Sequence, residues 1–195
     1  LTLYKPTFES ARDVAARMRA TDVEEIHPLL FDPRPETIAS YVMASRFAWL
    51  AAKERPIAVF GCYEARPRCW AAFAFGTDEF PRVAGEMTKF LVRKVKPYLF
   101  GELNARRVEA YSHPNHKQAH AWLELLGAKG TVDPEYGPDG QAYVHFVMRR
   151  SDWEVTSPGK PGTIFTSGGT SGPRLSGRLS APAEHVPLPA QDSAG

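Results

Sequence analysis

The sequence predicts an α/β layer domain of about 150 residues followed by an extended arm. Three observations carry that prediction. Apolar periodicity switches repeatedly between strand-like alternation and helical spacing over residues 1–156. Pro and Gly punctuate the switches. At Ser157 the composition changes abruptly. The organisation is therefore a domain over 1–156 and an arm over 157–195.

The elements follow in order. "LTLYKPT" is a short extended piece. Ser10 is placed to cap a helix through "ARDVAARMRA", with Asp13 at the fourth position of a capping-box pattern, and Thr21 and Glu24 repeat the pattern in "TDVEEIHPLL". "RPETIASYVMASRFAWLAAKE" opens on Pro35 and places Ile38, Tyr41, Val42, Ser45, Trp49 and Ala52 close to helical spacing, which predicts a third helix with one buried face. "PIAVFGCYE" and "RCWAAFAFG" form an antiparallel hairpin turning through Ala65, Arg66 and Pro67. "FPRVAGEMTKFLVRKVKPYLFGEL" carries Val83, Met87, Phe90, Leu91, Val95 and Leu99 on one face, a long helix bent at Pro97. "ARRVEAYS" is a strand, "HKQAHAWLELLG" a helix stopped at Gly127, and "GQAYVHFVMRR" a last strand.

Residues 157–195 are roughly half Gly, Pro and Ser, too polar and too flexible in composition to offset chain entropy by burial. We expect them to lie on a partner as an extended arm, with Ile164, Phe165, Leu175, Leu179, Val186 and Leu188 as sparse anchors.

A formal charge of +2 spread over 195 residues names no electrostatic partner, and neither a membrane nor a specific nucleic acid is expected. No apolar run approaches a membrane span, and the first residues lack the regions of a signal peptide, so a cytoplasmic site of synthesis is expected. Cys62 and Cys69 flank the hairpin turn and could face each other, but a reducing compartment favours free thiols.

The order of elements over residues 1–150 resembles the GNAT fold, the N-acetyltransferase scaffold that binds acetyl-CoA. "HPNHKQAHAWLELLGA" carries that resemblance most clearly, with Asn115 in the turn and Leu126-Gly127 at the helix end. "RPIAVFGCYE", Trp70, "GTDEFPR" and "HAWLELLGA" together resemble the GNAT-like proteins of short-tailed bacteriophages, some of which are virion or assembly proteins.

The resemblance implies a mixed central sheet flanked by helices, and a glycine-rich turn whose amides hold the CoA pyrophosphate. The matching stretch, "GTDEFPRVAG" at 76–85, lacks the glycine pair, loses a donor at Pro81 and adds Asp78 and Glu79, with Arg82 as partial offset. The tyrosine that the family uses as general acid falls at Trp122 or Leu123, neither of which donates a proton in that role. Tyr111 or Tyr143 as acid, and Glu79 or Glu109 as base, are conceivable substitutes that no spacing selects. His113, His116 and His120 permit a drawn zinc site, but the helix lacks a His-Glu-x-x-His glutamate, and exposed helix-start histidines are the simpler reading. Trp49, Trp70 and Trp122 read as core anchors.

The residues therefore lead to no catalytic, cofactor-binding or metal-binding assignment, and to no cofactor unless the chain is an enzyme. The expectation is a non-catalytic GNAT-like structural or assembly component of a phage particle. It would be made in the host cytoplasm and held in the virion, in several copies, by its arm against other virion proteins of the head-tail or tail region. The alternative is an acetyl-CoA-dependent N-acyltransferase acting on a host or phage amine.

Overall fold

A computed structural model describes residues 2–156. The arm anchors Ile164, Phe165, Leu175, Leu179, Val186 and Leu188 lie outside the described residues. The chain runs β1 (Thr2–Tyr4), α1 (Phe8–Ala16), α2 (Ala20–Ile26), a 3-10 turn at His27–Leu29, α3 (Pro35–Ala44), then the strands β2 (Phe47–Ala52), β3 (Pro56–Arg66) and β4 (Cys69–Gly76). There follow α4 (Pro81–Phe90), β5 (Arg107–Ser112), α5 (Lys117–Leu125), β6 (Lys129–Asp133), β7 (Tyr143–Arg149) and α6 (Arg150–Thr156). The sheet has seven strands in the order β1-β2-β3-β4-β5-β7-β6. Neighbours are antiparallel except for β4 and β5, which are parallel.

Period-two alternation sorts the strands between two apolar layers. Leu50, Ala52, Val59 and Phe75 meet Ala11, Val14 and Ala15 of α1 and Ile38, Ala39 and Val42 of α3. Ala51, Ile57, Ala58 and Phe60 meet Phe80, Val83 and Met87 on the other side. Trp70, Phe146 and Met148 pack beyond them with Val95, Leu99, Phe100 and Leu126. Helices on both faces explain why "IAVFGC" has no polar alternation, since neither face meets water.

Local chemistry moves several boundaries. Thr7 caps α1, not Ser10; Ser10 is the reciprocal box residue, its Oγ accepting from Thr7 N at 2.9 Å while Thr7 Oγ1 accepts from Ser10 N at 3.2 Å. The segment expected as one helix from Pro35 to Ala52 divides at Ser45, and "FAWLAA" is β2. Alanine and leucine favour helix, but a slot between β1 and β3 with apolar layers on both sides outweighs that preference. The hairpin turns more tightly than expected, over Pro67 and Arg68, the latter at φ 64°. Cys62 stands opposite Ala72 and Cys69 opposite Arg66, so the thiols do not meet, and both are free. Burial pushes the Cys62 thiol up to about 12, so it is an inert core group. The long helix does lose its α-ladder around Pro97, as two π-helical turns, Leu91–Val95 and Tyr98–Glu102.

Candidate functional site

The sheet opens at one place. β4 and β5 are partnered only at Cys69–Arg107, Trp70–Val108 and Ala71–Glu109. Beyond that, β4 follows β3 to Gly76 and β5 follows β7 to Ser112, and the two strands part. Thr77 N–H reaches back to Ile57 O, whereas Gly76 N–H points away from β3. By the alternation of an antiparallel pair, Ala74 also turns its N–H and C=O into the opening. Gly76 is required there on steric grounds. A Cβ would lie 2.6 Å from Phe80 Cδ2 and 2.9 Å from Ile57 O.

On one side, α2 spans the opening with two carboxylates three residues apart on one helix face. Asp22 Oδ2 accepts Gly76 N–H at 2.8 Å, and Arg19 N–H donates to Gly76 O at 2.9 Å, which fastens α2 to β4. Glu25 Oε2 accepts Ser112 Oγ–H at 2.5 Å and His113 N–H at 2.8 Å, which fastens it to β5. Tyr143 Oη–H, from β7, donates to Glu25 O at 3.0 Å.

His116, the residue before α5, completes the cluster. Its Nδ1 lies 3.1 Å from Glu25 Oε2, and its Nε2 finds no hydrogen-bond partner among the described residues; Asp22 Oδ1 is 3.8 Å from it. Its side chain is 5% exposed and that of Asp22 1%. An unpaired ring nitrogen so deeply placed costs about 1–3 kcal/mol. Burial pushes the Asp22 carboxyl up, only partly offset by the Arg19 guanidinium 2.8 Å away. Burial acts on Glu25 in the same sense, but the hydrogen bonds from His116, Ser112 and His113 outweigh it and hold the carboxyl below its usual range.

On the other side, α5 meets α4 through Trp122. Its Nε1–H donates to Thr88 Oγ1 at 2.7 Å, and its ring stands edge-on to Phe80 at 6.0 Å. At the open end, α4 begins with its amides already engaged. Phe80 N–H donates to Thr77 O, Arg82 N–H to Glu79 O, and both Val83 and Ala84 N–H to Phe80 O. Glu79 lies between Arg55 and Arg82, hydrogen-bonded to both. Those arginines, with Lys53, Glu54 and Ile57, line a cavity of about 390 Å³.

The residues weighed from the sequence thus have distinct places. Tyr143 is committed to Glu25, and Glu79 to its two arginines. Tyr111 is stacked between Tyr136 and His145, and Glu109 holds Arg66, Arg107 and His145. Trp70 and Trp122 do sit in the apolar layers, with Trp49 beside Phe60 and Phe90. The ring nitrogens of the three histidines have separate partners: His113 Nδ1 accepts from Asn115 N–H, His120 Nε2 lies 3.0 Å from His113 O, and His116 Nδ1 turns to Glu25. The reading of His116 as exposed is corrected. Sequence reasoning missed Asp22 and Glu25 altogether, because their partners are 54 and 87 positions away.

No protein-family model matches the sequence, and no curated protein matches it. Solved structures do match. The GNAT-family acetyltransferase from Bacillus anthracis aligns at TM-score 0.58 and 12% identity, over 76% of this chain and 94% of its own. A variant of the spermidine N-acetyltransferase from Vibrio cholerae aligns at TM-score 0.55 and 12% identity, over 78% of this chain and 97% of its own. These and six further matches, at 12 to 15% identity, are all described as acetyltransferases and none as a virion protein. They overturn the expectation of a non-catalytic structural component of a phage particle. At such identity the likeness carries the fold alone, and that fold is GNAT: a mixed seven-stranded sheet, flanked by helices and parted between its parallel pair.

Proposed function

We propose that the chain transfers an acyl group from an acyl-CoA thioester to an amine. The parting of β4 from β5 carries the reading. It leaves one strand edge, at Ala74, with its N–H and C=O unclaimed by β5. An extended diamide chain such as pantetheine pairs with such an edge as an added strand does. The acetyltransferase names of the structures that share this fold support the same reaction class.

The CoA diphosphate fits the open end through side chains in place of amides. Arg55, Arg82 and Lys53, against the two carboxylates Glu54 and Glu79, line a cavity beside the start of α4, where the excess of cation charge and the helix dipole favour an anion. Glu79 now holds the place between the two arginines that a phosphate would take, and it must swing away for the ligand to enter. Bound there, CoA supplies a thioester, an activated acyl group with a thiolate leaving group. Asp22 and Glu25 hold the strand ends apart and in register from the other side.

The test is thiol release from acetyl-CoA by the intact protein, with spermidine and a lysine-containing peptide as acceptors and mass spectrometry of the products. The reading expects an acetylated amine and stoichiometric thiol. Thiol release no faster than in the protein-free control, with no acetylated product, speaks against it.

A further inference from the structure

We infer that His116 is the proton carrier of this transfer and that Glu25 is its positioning residue. The inference rests on the acyl-transfer reading above and names the group that serves it. Transfer needs a base for the amine and an acid for the departing sulfur. At the opening the Ser112 and Tyr143 hydroxyls are engaged: Ser112 donates to the Glu25 carboxylate, and Tyr143 to the Glu25 carbonyl. Trp122 has only a donor, and that is spent on Thr88.

His116 is different in kind. Glu25 Oε2 takes one ring nitrogen at 3.1 Å and so fixes the ring's orientation and tautomer, with the proton on Nδ1. Nε2 is then left with a lone pair, buried and without a hydrogen-bond partner among the described residues, between the ends of β4 and β5. A core histidine with no further role would be expected to pair both nitrogens. The charged and titratable groups around the ring are Asp22 and Glu25 from α2 and Arg19 just before it, with Tyr143 from β7 and His113 just after β5 bonded to Glu25. Arg19 sits 2.8 Å from Asp22, so the second carboxylate has its own countercharge.

The step balances. An acceptor arriving as ammonium first loses one proton to solvent. Its nitrogen bonds the acyl carbon while a second proton passes from that nitrogen to His116 Nε2. The carbon–sulfur bond breaks with its electron pair on sulfur, and His116 returns the proton to the thiolate. Glu25 stays ionised throughout and holds Nδ1.

Two measurements test this on the full chain. Nitrogen-15 spectra of the histidine rings, without ligand, should place the His116 proton on Nδ1 and leave Nε2 bare in the pH range of activity. A second proton on Nε2 across that whole range overturns the inference. His116→Gln can keep the bond to Glu25, and it should leave acetyl-CoA affinity by calorimetry within about twofold while thiol release falls about 100-fold or more. The lower limb of the pH profile should go with it. Unchanged turnover by a folded His116→Gln protein overturns the inference and leaves acyl transfer standing. Failure of the intact protein to bind acetyl-CoA overturns both. If no probe amine is accepted, the ring spectrum alone decides.

Discussion

Replacing Glu25 with alanine removes the acceptor for three donors at once: Ser112 Oγ–H, His113 N–H and the His116 ring. A hydrogen bond to a charged group contributes about 1.5–3 kcal/mol net. The three share one oxygen and are not additive, so the expected loss is about 3–5 kcal/mol, the range for stripping one partner from a buried charged cluster. Glu25 is 12% exposed at its side chain, so solvent screening takes little from that figure. Domains of this kind are stable by about 5–15 kcal/mol, so the variant should fold with a much lower urea midpoint at pH 7. The sign of the pH dependence is fixed by the same contacts. The folded carboxyl lies below its usual range, so its contribution is full above the unfolded value and is lost as pH falls through the folded one. The gap between wild type and variant should therefore narrow on acidification below about pH 4. A Glu25→Ala midpoint that matches wild type at pH 7, or a gap that widens in acid, would refute the reasoning.

Asp22 should behave oppositely, because burial raises its folded carboxyl: its contribution is present at low pH and fades as pH rises through the folded value. Asp22→Asn can still accept Gly76 N–H, and urea unfolding at pH 7 should find it far milder than Glu25→Ala; an equal loss would contradict the sign. Gly76→Ala would press a methyl against Phe80 and the Ile57 carbonyl, an overpacking cost of about 1–3 kcal/mol in thermal unfolding, and an unchanged midpoint would count against the close approach. Glu79→Gln frees Arg55 and Arg82, so acetyl-CoA should bind several-fold more tightly at low salt; weaker binding would mean that Glu79 helps the site.

Much of the architecture could be read in the chain because its cause is local. Pro81 and the apolar face of Val83 and Met87 mark α4, and Gly127, at φ 91°, marks the end of α5. β2 was read as helix because its alanines carry no alternation once both faces are buried, and β6 was missed because Gly130 and its exposed neighbours give little strand signal. The missing glycine pair and Pro81 at the head of α4 are plain in the chain, and the amides of Phe80, Arg82, Val83 and Ala84 are engaged within the turn. The cavity beside it was not legible, since its lining residues Lys53 and Arg55 come from the β2–β3 turn. Nor was the Asp22–Glu25–His116 cluster: Thr21 and Glu24 drew attention as a cap, whereas Arg19 is the residue before α2 and makes no side-chain cap. Only the parting of β4 from β5 brings α2 and the start of α5 to one place.

Calorimetric titration of acetyl-CoA into the intact protein, beside an Arg55→Ala/Arg82→Ala variant, tests the central claim most directly. The account predicts saturable heat with one site per chain, weakened in the variant and by added salt. No heat at about millimolar acetyl-CoA, a concentration that detects affinities of about 4 kcal/mol, would contradict it.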